Sequence, residues 1–218
     1  AQRRRPGGVD DRAHPALWRG VFARRRSVEL FWPSGALLCG AIVGLVLDPT
    51  SPAAVPLVAG GLASLSKHLV RYRARHVFNP AAFGLLACGV LFSERASWWG
   101  ALPRLSFVAT LAMLAIGAVV LDRSRKLPAA LAFLAAYYTI FLVVGLITPD
   151  KAAEAFRSPF SNAAVFFALF MVSDPPTAPV AVDYQLAFGI IVAAGAALLE
   201  LTLHGAAYLF AALLAANV

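Results

Sequence analysis

Eight runs of apolar residues, at 28–47, 51–66, 77–92, 105–121, 127–147, 160–173, 185–200 and 204–217, make up most of this chain, with short polar segments between them. A helix needs about 20 mostly apolar residues to cross the ~30 Å hydrocarbon core of a bilayer. The pattern predicts an all-α polytopic membrane protein with about eight transmembrane or half-membrane helices, the runs 160–173 and 204–217 being short enough for half-membrane or strongly tilted segments. Composition excludes an ordinary soluble domain: 60% of the residues are hydrophobic and 14% charged, against about 45–50% and about 25% in soluble domains.

The formal charge of +8 comes from 19 Lys and Arg against 11 Asp and Glu. Arg3, Arg4, Arg5, Arg12, Arg19, Arg24, Arg25 and Arg26 all lie ahead of the first apolar run. The other basic residues fall mostly in short clusters between runs. A nucleic-acid surface spreads Lys and Arg along one folded face with aromatic residues between them, so no nucleic-acid partner is expected. Cytoplasmic loops collect Lys and Arg. With the N-terminus cytoplasmic, an eight-crossing path places the arm, Lys67–Arg75 and Arg123–Lys126 inside and leaves Arg95, Arg104, Lys151 and Arg157 outside.

The expected arrangement is a basic, mostly disordered cytoplasmic arm over 1–27 and a single helical membrane domain over 28–218. The arm can lie on anionic lipid or on a partner subunit. The first apolar run has no small-residue cleavage signature, which fits a retained membrane anchor better than a signal peptide. Trp18, Trp32, Trp98 and Trp99 flank runs, at the headgroup level that indole rings prefer. Residues 148–159 read as a short amphipathic or irregular connector. Cys39 and Cys88 each sit inside an apolar run without a CxxC or a neighbouring His. Both read as small buried hydrophobes, and no metal site is expected.

Polar residues that interrupt apolar helices must face protein, ligand or water, so they carry most of the functional information. The basic turn from Lys67 to His76 runs straight into Asn79-Pro80. Asn is a good N-cap and Pro is tolerated in a first helical turn, so this segment reads equally as a capped helix start. It also reads as an anion site, with backbone N–H groups beside Arg71, Arg73, Arg75 and His76. The segment Ser173-Asp174-Pro175-Pro176-Thr177-Ala178-Pro179 cannot continue a helix, because each proline lacks a donor and clashes with the preceding turn. There an opened backbone can meet a bound species, or a proline-stiffened loop can simply connect two helices. Asp48-Pro49-Thr50 echoes it after the first run, and Phe78-Asn79-Pro80-Ala81-Ala82-Phe83 is echoed by Phe160-Ser161-Asn162-Ala163-Ala164-Val165-Phe166. Paired breaks of this kind point to an internal repeat with a site between its halves. Glu200 and His204 fall on one helix face and read as a surface pair or a proton relay. No catalytic triad, P-loop, dinucleotide fingerprint or HExxH helix is present.

His76-Val77-Phe78-Asn79-Pro80-Ala81-Ala82-Phe83-Gly84 and Phe170-Met171-Val172-Ser173-Asp174-Pro175-Pro176-Thr177-Ala178-Pro179 resemble the two signature segments of the NqrB/RnfD family. Its members are membrane subunits of the sodium-pumping NADH:quinone oxidoreductase and of the Rnf complex. The family pattern is of the type (I/V)FNPA…G followed by (A/S)TDPV(T/S)AP, and the likeness covers mainly 64–90 and 160–215. It implies a channel-like inverted repeat with broken helices and a flavin-carrying subunit of an electron-transport complex, working with other membrane or peripheral redox subunits. It implies that Asn79, Pro80, Asp174 and Thr177 are motif residues lining or shaping the flavin and ion region; Ser173 in the second break, and Arg71 and Arg73 from the anion-site reading, complete the candidate flavin-binding set. The family's FMN-bearing SGAT motif is missing, and Ser106-Phe107-Val108-Ala109-Thr110 lacks its Gly. The flavin, FMN or riboflavin, is therefore expected to be non-covalent. A small-solute or ion pathway through the same broken helices, and a non-catalytic scaffold subunit, are the competing expectations.

Overall fold

The structure is a computed structural model and describes residues 34–48, 50–72, 75–92, 106–156, 160–203 and 207–218. The basic arm 1–27, the four tryptophans, Arg73 and His204 lie outside the described residues. The chain divides into two units, Ala1–Leu37 and Leu38–Val218. The second unit carries all the packing considered below.

Helices dominate. They are α1 (Ser34–Val46), α2 (Ala54–Leu69), α3 (Pro80–Phe92), α4 (Phe107–Ser124), α5 (Leu127–Ile147), α6 (Pro149–Phe156), α7 (Phe160–Phe167, continued by a π-helical turn over Ala168–Val172), α8 (Val182–Leu203) and α9 (Tyr208–Ala216). A small antiparallel hairpin, β1 (Arg71–Tyr72) with β2 (Arg75–His76), joins α2 to α3. Each of the eight apolar runs contains a helix. Among the described residues three helices, Phe107–Ser124, Leu127–Ile147 and most of α8, are long and apolar enough to cross a membrane. They present large apolar side chains outward: Phe107 is 81% exposed and Leu146 83%. Faces of this kind suit lipid and would be a liability in water. The segment 148–159 holds the short amphipathic α6, with Ala152 and Ala155 buried and Phe156 stacked on Tyr138.

The other helices are truncated for local reasons. α3 begins at Pro80, which has no N–H to lose in a first turn. α7 stops at Val172 because Pro175 and Pro176 follow.

Side-chain contacts fix the directions of these elements. α2 and α3 are antiparallel: Cys88 near the end of α3 donates to the carbonyl of Val55 at the start of α2, and Gly84 faces Ala59 and Ala63. A Cβ at Gly84 would collide with the Ala59 carbonyl, so the two backbones touch as in other small-residue helix pairs. α5 and α8 run parallel, with Gly189 against Ala129 and Phe133. The buried rings Phe133, Tyr137 and Phe141 of α5 pack on one another, and Phe133 packs on Phe167 of α7. The Tyr137 and Tyr208 hydroxyls meet at 2.8 Å in the core, tying α9 to α5.

Candidate functional site

Asn79 is where three short elements converge. Its side-chain oxygen accepts from the backbone N–H of Ala82 at 3.0 Å, which is N-cap geometry for α3. Its amide nitrogen donates to the carbonyl of Met171 at the end of α7, at 3.2 Å. Its backbone N–H donates to the side-chain oxygen of Asn217, just past α9, also at 3.2 Å. Asn79 is 3% exposed, and Pro80 beside it is buried. The start of α3 thus meets the ends of α7 and α9.

Beyond this meeting point the Pro-rich segment folds as a strap, residues 173–181. Ser173 is buried and its hydroxyl returns to the carbonyl of Leu169. Thr177 donates through its hydroxyl to Asp174 Oδ2 at 2.9 Å. Lys126, 4% exposed, donates through Nζ to the carbonyls of Ala178 at 2.9 Å and Pro179 at 2.6 Å. Gln185 Nε2 donates to the carbonyls of Val180 and Arg125. The strap is therefore bolted to the start of α5. Asp174 is half-buried outside the helices, and burial pushes its carboxyl up to about 6, against the opposing pull of the Thr177 hydroxyl, Lys67 and Lys126.

Between the hairpin and the strap lies a cleft of about 630 Å³. Tyr72, His76 and Val77 form one side, Pro176 and Thr177 another, and Asn217 and Val218 a third. In its wall, the Asn217 amide nitrogen is buried and has no hydrogen-bond partner among the described residues. A buried donor left unpaired costs about 1–3 kcal/mol, so it marks where an acceptor from a ligand would be held. His76 is half-buried, and its imidazole is held below its ordinary pKa by burial and by the nearby charges of Lys67 and Arg71. Volumes of this size suit small-molecule and cofactor ligands.

The residues singled out in the sequence separate into two groups. Thr177 lines the cleft, Asp174 supports it, and Arg71 is exposed on β1 opposite His76. Asn79 and Ser173 hold helix ends together, and Pro80 starts α3. For the 79–80 segment the capped helix start is what the structure contains. Tyr72, Asn217, Lys126 and Gln185 were not foreseen as site residues. An Asn directly after an apolar run, and a Lys directly before one, were the available signals. Among the described residues no group of three or more His, Cys, Asp or Glu could hold a metal ion.

Fold and site together define a helical membrane protein in which the start of α3 and the ends of α7 and α9 meet beside a largely apolar cleft that carries a few polar groups. No family model matches the chain, and no curated protein matches it.

Proposed function

We propose that this chain is a membrane subunit of a bacterial redox complex, of the NqrB/RnfD type, that holds a flavin non-covalently in the cleft and passes electrons between partner subunits. The observation that carries the reading is the unpaired Asn217 amide in a cleft of flavin-compatible size, with the Tyr72 ring and the Thr177 hydroxyl in the same wall. An isoalloxazine ring is planar and edged with carbonyls. Tyr72 offers an aromatic face, while Asn217 Nδ2 and Thr177 offer polar contacts to the ring edge. A bound flavin supplies one- and two-electron transfer, and the chain supplies binding, orientation and exclusion of water.

The same reading includes an inverted repeat and about eight crossings or half-crossings, with the N-terminus in the cytoplasm. Asp48 accepts from the Thr50 hydroxyl and N–H after α1, as Asp174 accepts from Thr177 after α7. The first turn lies near the start of α2, the end opposite Asn79, whereas the second lies at the Asn79 end. A helix, a turn closed by an Asp–Thr hydrogen bond and two further helices thus describe both α1–α2–α3 and α7–α8–α9, an order that supports repeats in opposite senses. Lys67 and Arg71 act on His76, and Lys67 and Lys126 on Asp174, and this grouping of basic residues supports a cytoplasmic placement for the cleft end.

An absorbance spectrum of the purified protein, followed by acid precipitation, tests the proposal. Two visible flavin bands lost to the supernatant on precipitation are expected. Absence of flavin, with no uptake of added FMN or riboflavin, overturns it. Uptake of a small solute into proteoliposomes that persists without flavin supports the pathway reading instead.

A further inference from the structure

We propose that the basic hairpin gives the cleft a phosphate subsite: a monoester phosphate docks between Arg71 and His76, with Lys67 behind them, and His76 takes up a proton as it enters. This rests on the reading of the cleft as a flavin site, and it selects FMN over riboflavin.

Three observations converge on it. Arg71 and His76 are register partners on the hairpin. Directly opposed residues in an antiparallel pair have Cα atoms only about 4.5–5.5 Å apart, and the charge of Arg71, which is exposed at the edge of the cleft and not part of its lining, acts on His76. Lys67 lies in the last turn of α2, close enough for its charge to act on His76. His76 itself lines the cleft, whose other walls carry the ring-binding groups named above. A ligand with its ring against Tyr72 and Asn217 therefore has an anionic arm within reach of the hairpin.

The charged groups that act on His76 are Lys67 on α2 and Arg71 on β1, with Tyr72 in the same cleft lining and Asp174 bonded to the Thr177 that lines the cleft from the strap. Burial first, and then the charges of Lys67 and Arg71, disfavour the imidazolium. A phosphate dianion between them reverses that balance, because an adjacent negative charge favours the protonated ring. Binding is then linked to proton uptake, with the imidazolium becoming a second donor to the phosphate.

Binding of FMN and of riboflavin to the detergent-purified full chain, followed by fluorescence quenching at low salt and pH 7, separates the cases. FMN is expected to bind about tenfold more tightly than riboflavin, one charge-assisted contact's worth, and the preference is expected to shrink as salt is raised. Calorimetry in two buffers of different ionisation enthalpy should register proton uptake with FMN and none with riboflavin. His76→Gln should lose that uptake, with riboflavin binding to the variant reporting that the cleft has formed. Arg71→Gln, at an exposed position, should reduce the FMN preference in a folded protein.

Equal binding of the two flavins with no proton uptake overturns the phosphate subsite and leaves the flavin reading standing. Failure of both flavins to bind removes the flavin reading itself. Loss of the FMN preference when phosphatidylglycerol, but not phosphatidylcholine, is added to the micelles assigns the basic pair to a lipid headgroup and also overturns the proposal.

Discussion

Replacing Asn79 tests whether three helix ends depend on one side chain. Asn79→Ala removes the N-cap of α3, worth about 1 kcal/mol, and the hydrogen bond to the Met171 carbonyl. That carbonyl also accepts from the Asp174 N–H at 3.3 Å, so it is not orphaned, and the second loss stays near the ordinary net value of about 1 kcal/mol. The backbone bond to Asn217 survives the substitution. The sum is about 2 kcal/mol, and at about 2–4 °C per kcal/mol for a chain of this size the melting temperature should fall by about 4–8 °C. Asn79→Ser keeps a capping oxygen and loses the interhelical donor, so it should fall by about half as much. Unfolding can be followed in detergent with a thiol-reactive dye, because Cys39 and Cys88 are both buried in the native state. If Asn79→Ala melts with the wild type while losing a bound flavin, Asn79 is a ligand contact and the structural role argued above is wrong.

Other substitutions probe the packing and the strap. Gly84→Ala should lower the melting temperature sharply or abolish expression, since the added methyl meets the Ala59 backbone and cannot be relieved by a rotamer change. Lys126→Met should free the strap, measured as faster proteolysis near residues 175–180 and weaker ligand binding at the cleft, because two carbonyls lose a charged donor. Tyr137→Phe and Tyr208→Phe should each cost about 1 kcal/mol, and the double variant less than their sum, because no phenol is then left unpaired. For Asp174 the folded carboxyl titrates near 6, above the unfolded value. Between about pH 4 and 6 the folded state therefore holds a proton that the unfolded state has lost, and stability falls as pH rises through that window. Melting curves of Asp174→Asn should show a shallower decline over the same range.

The apolar runs made the helices legible, because lipid and core both demand continuous apolar stretches. The ends were legible too: Asn79-Pro80 and Asp174-Pro175 mark where α3 starts and α7 stops. What joins those ends was not. Asn79 and Met171 are 92 positions apart, and nothing local in either segment announces the bond between them. A polar residue in an apolar setting reads as a ligand contact when its partner is a backbone carbonyl, since carbonyls leave no trace in a sequence. Lys126 shows the same limit: it reads as one more inner-loop positive charge, yet it is 4% exposed and clamps two carbonyls of the strap. The Asp-Pro-Thr echo fared better, because both copies close the same local hydrogen bond, which depends only on residues two or three apart.

The meeting of helix ends at Asn79 also sets a sign of electric field. Aligned peptide dipoles give a helix about half a positive charge at its start and half a negative charge at its end. One start, that of α3, and two ends, those of α7 and α9, converge there, leaving about half a negative charge beside the floor of the cleft. The hairpin end carries Lys67 and Arg71. A polar molecule entering the cleft thus meets a gradient that draws its anionic group outward and its electron-poor part inward, so orientation is dictated before any specific hydrogen bond forms.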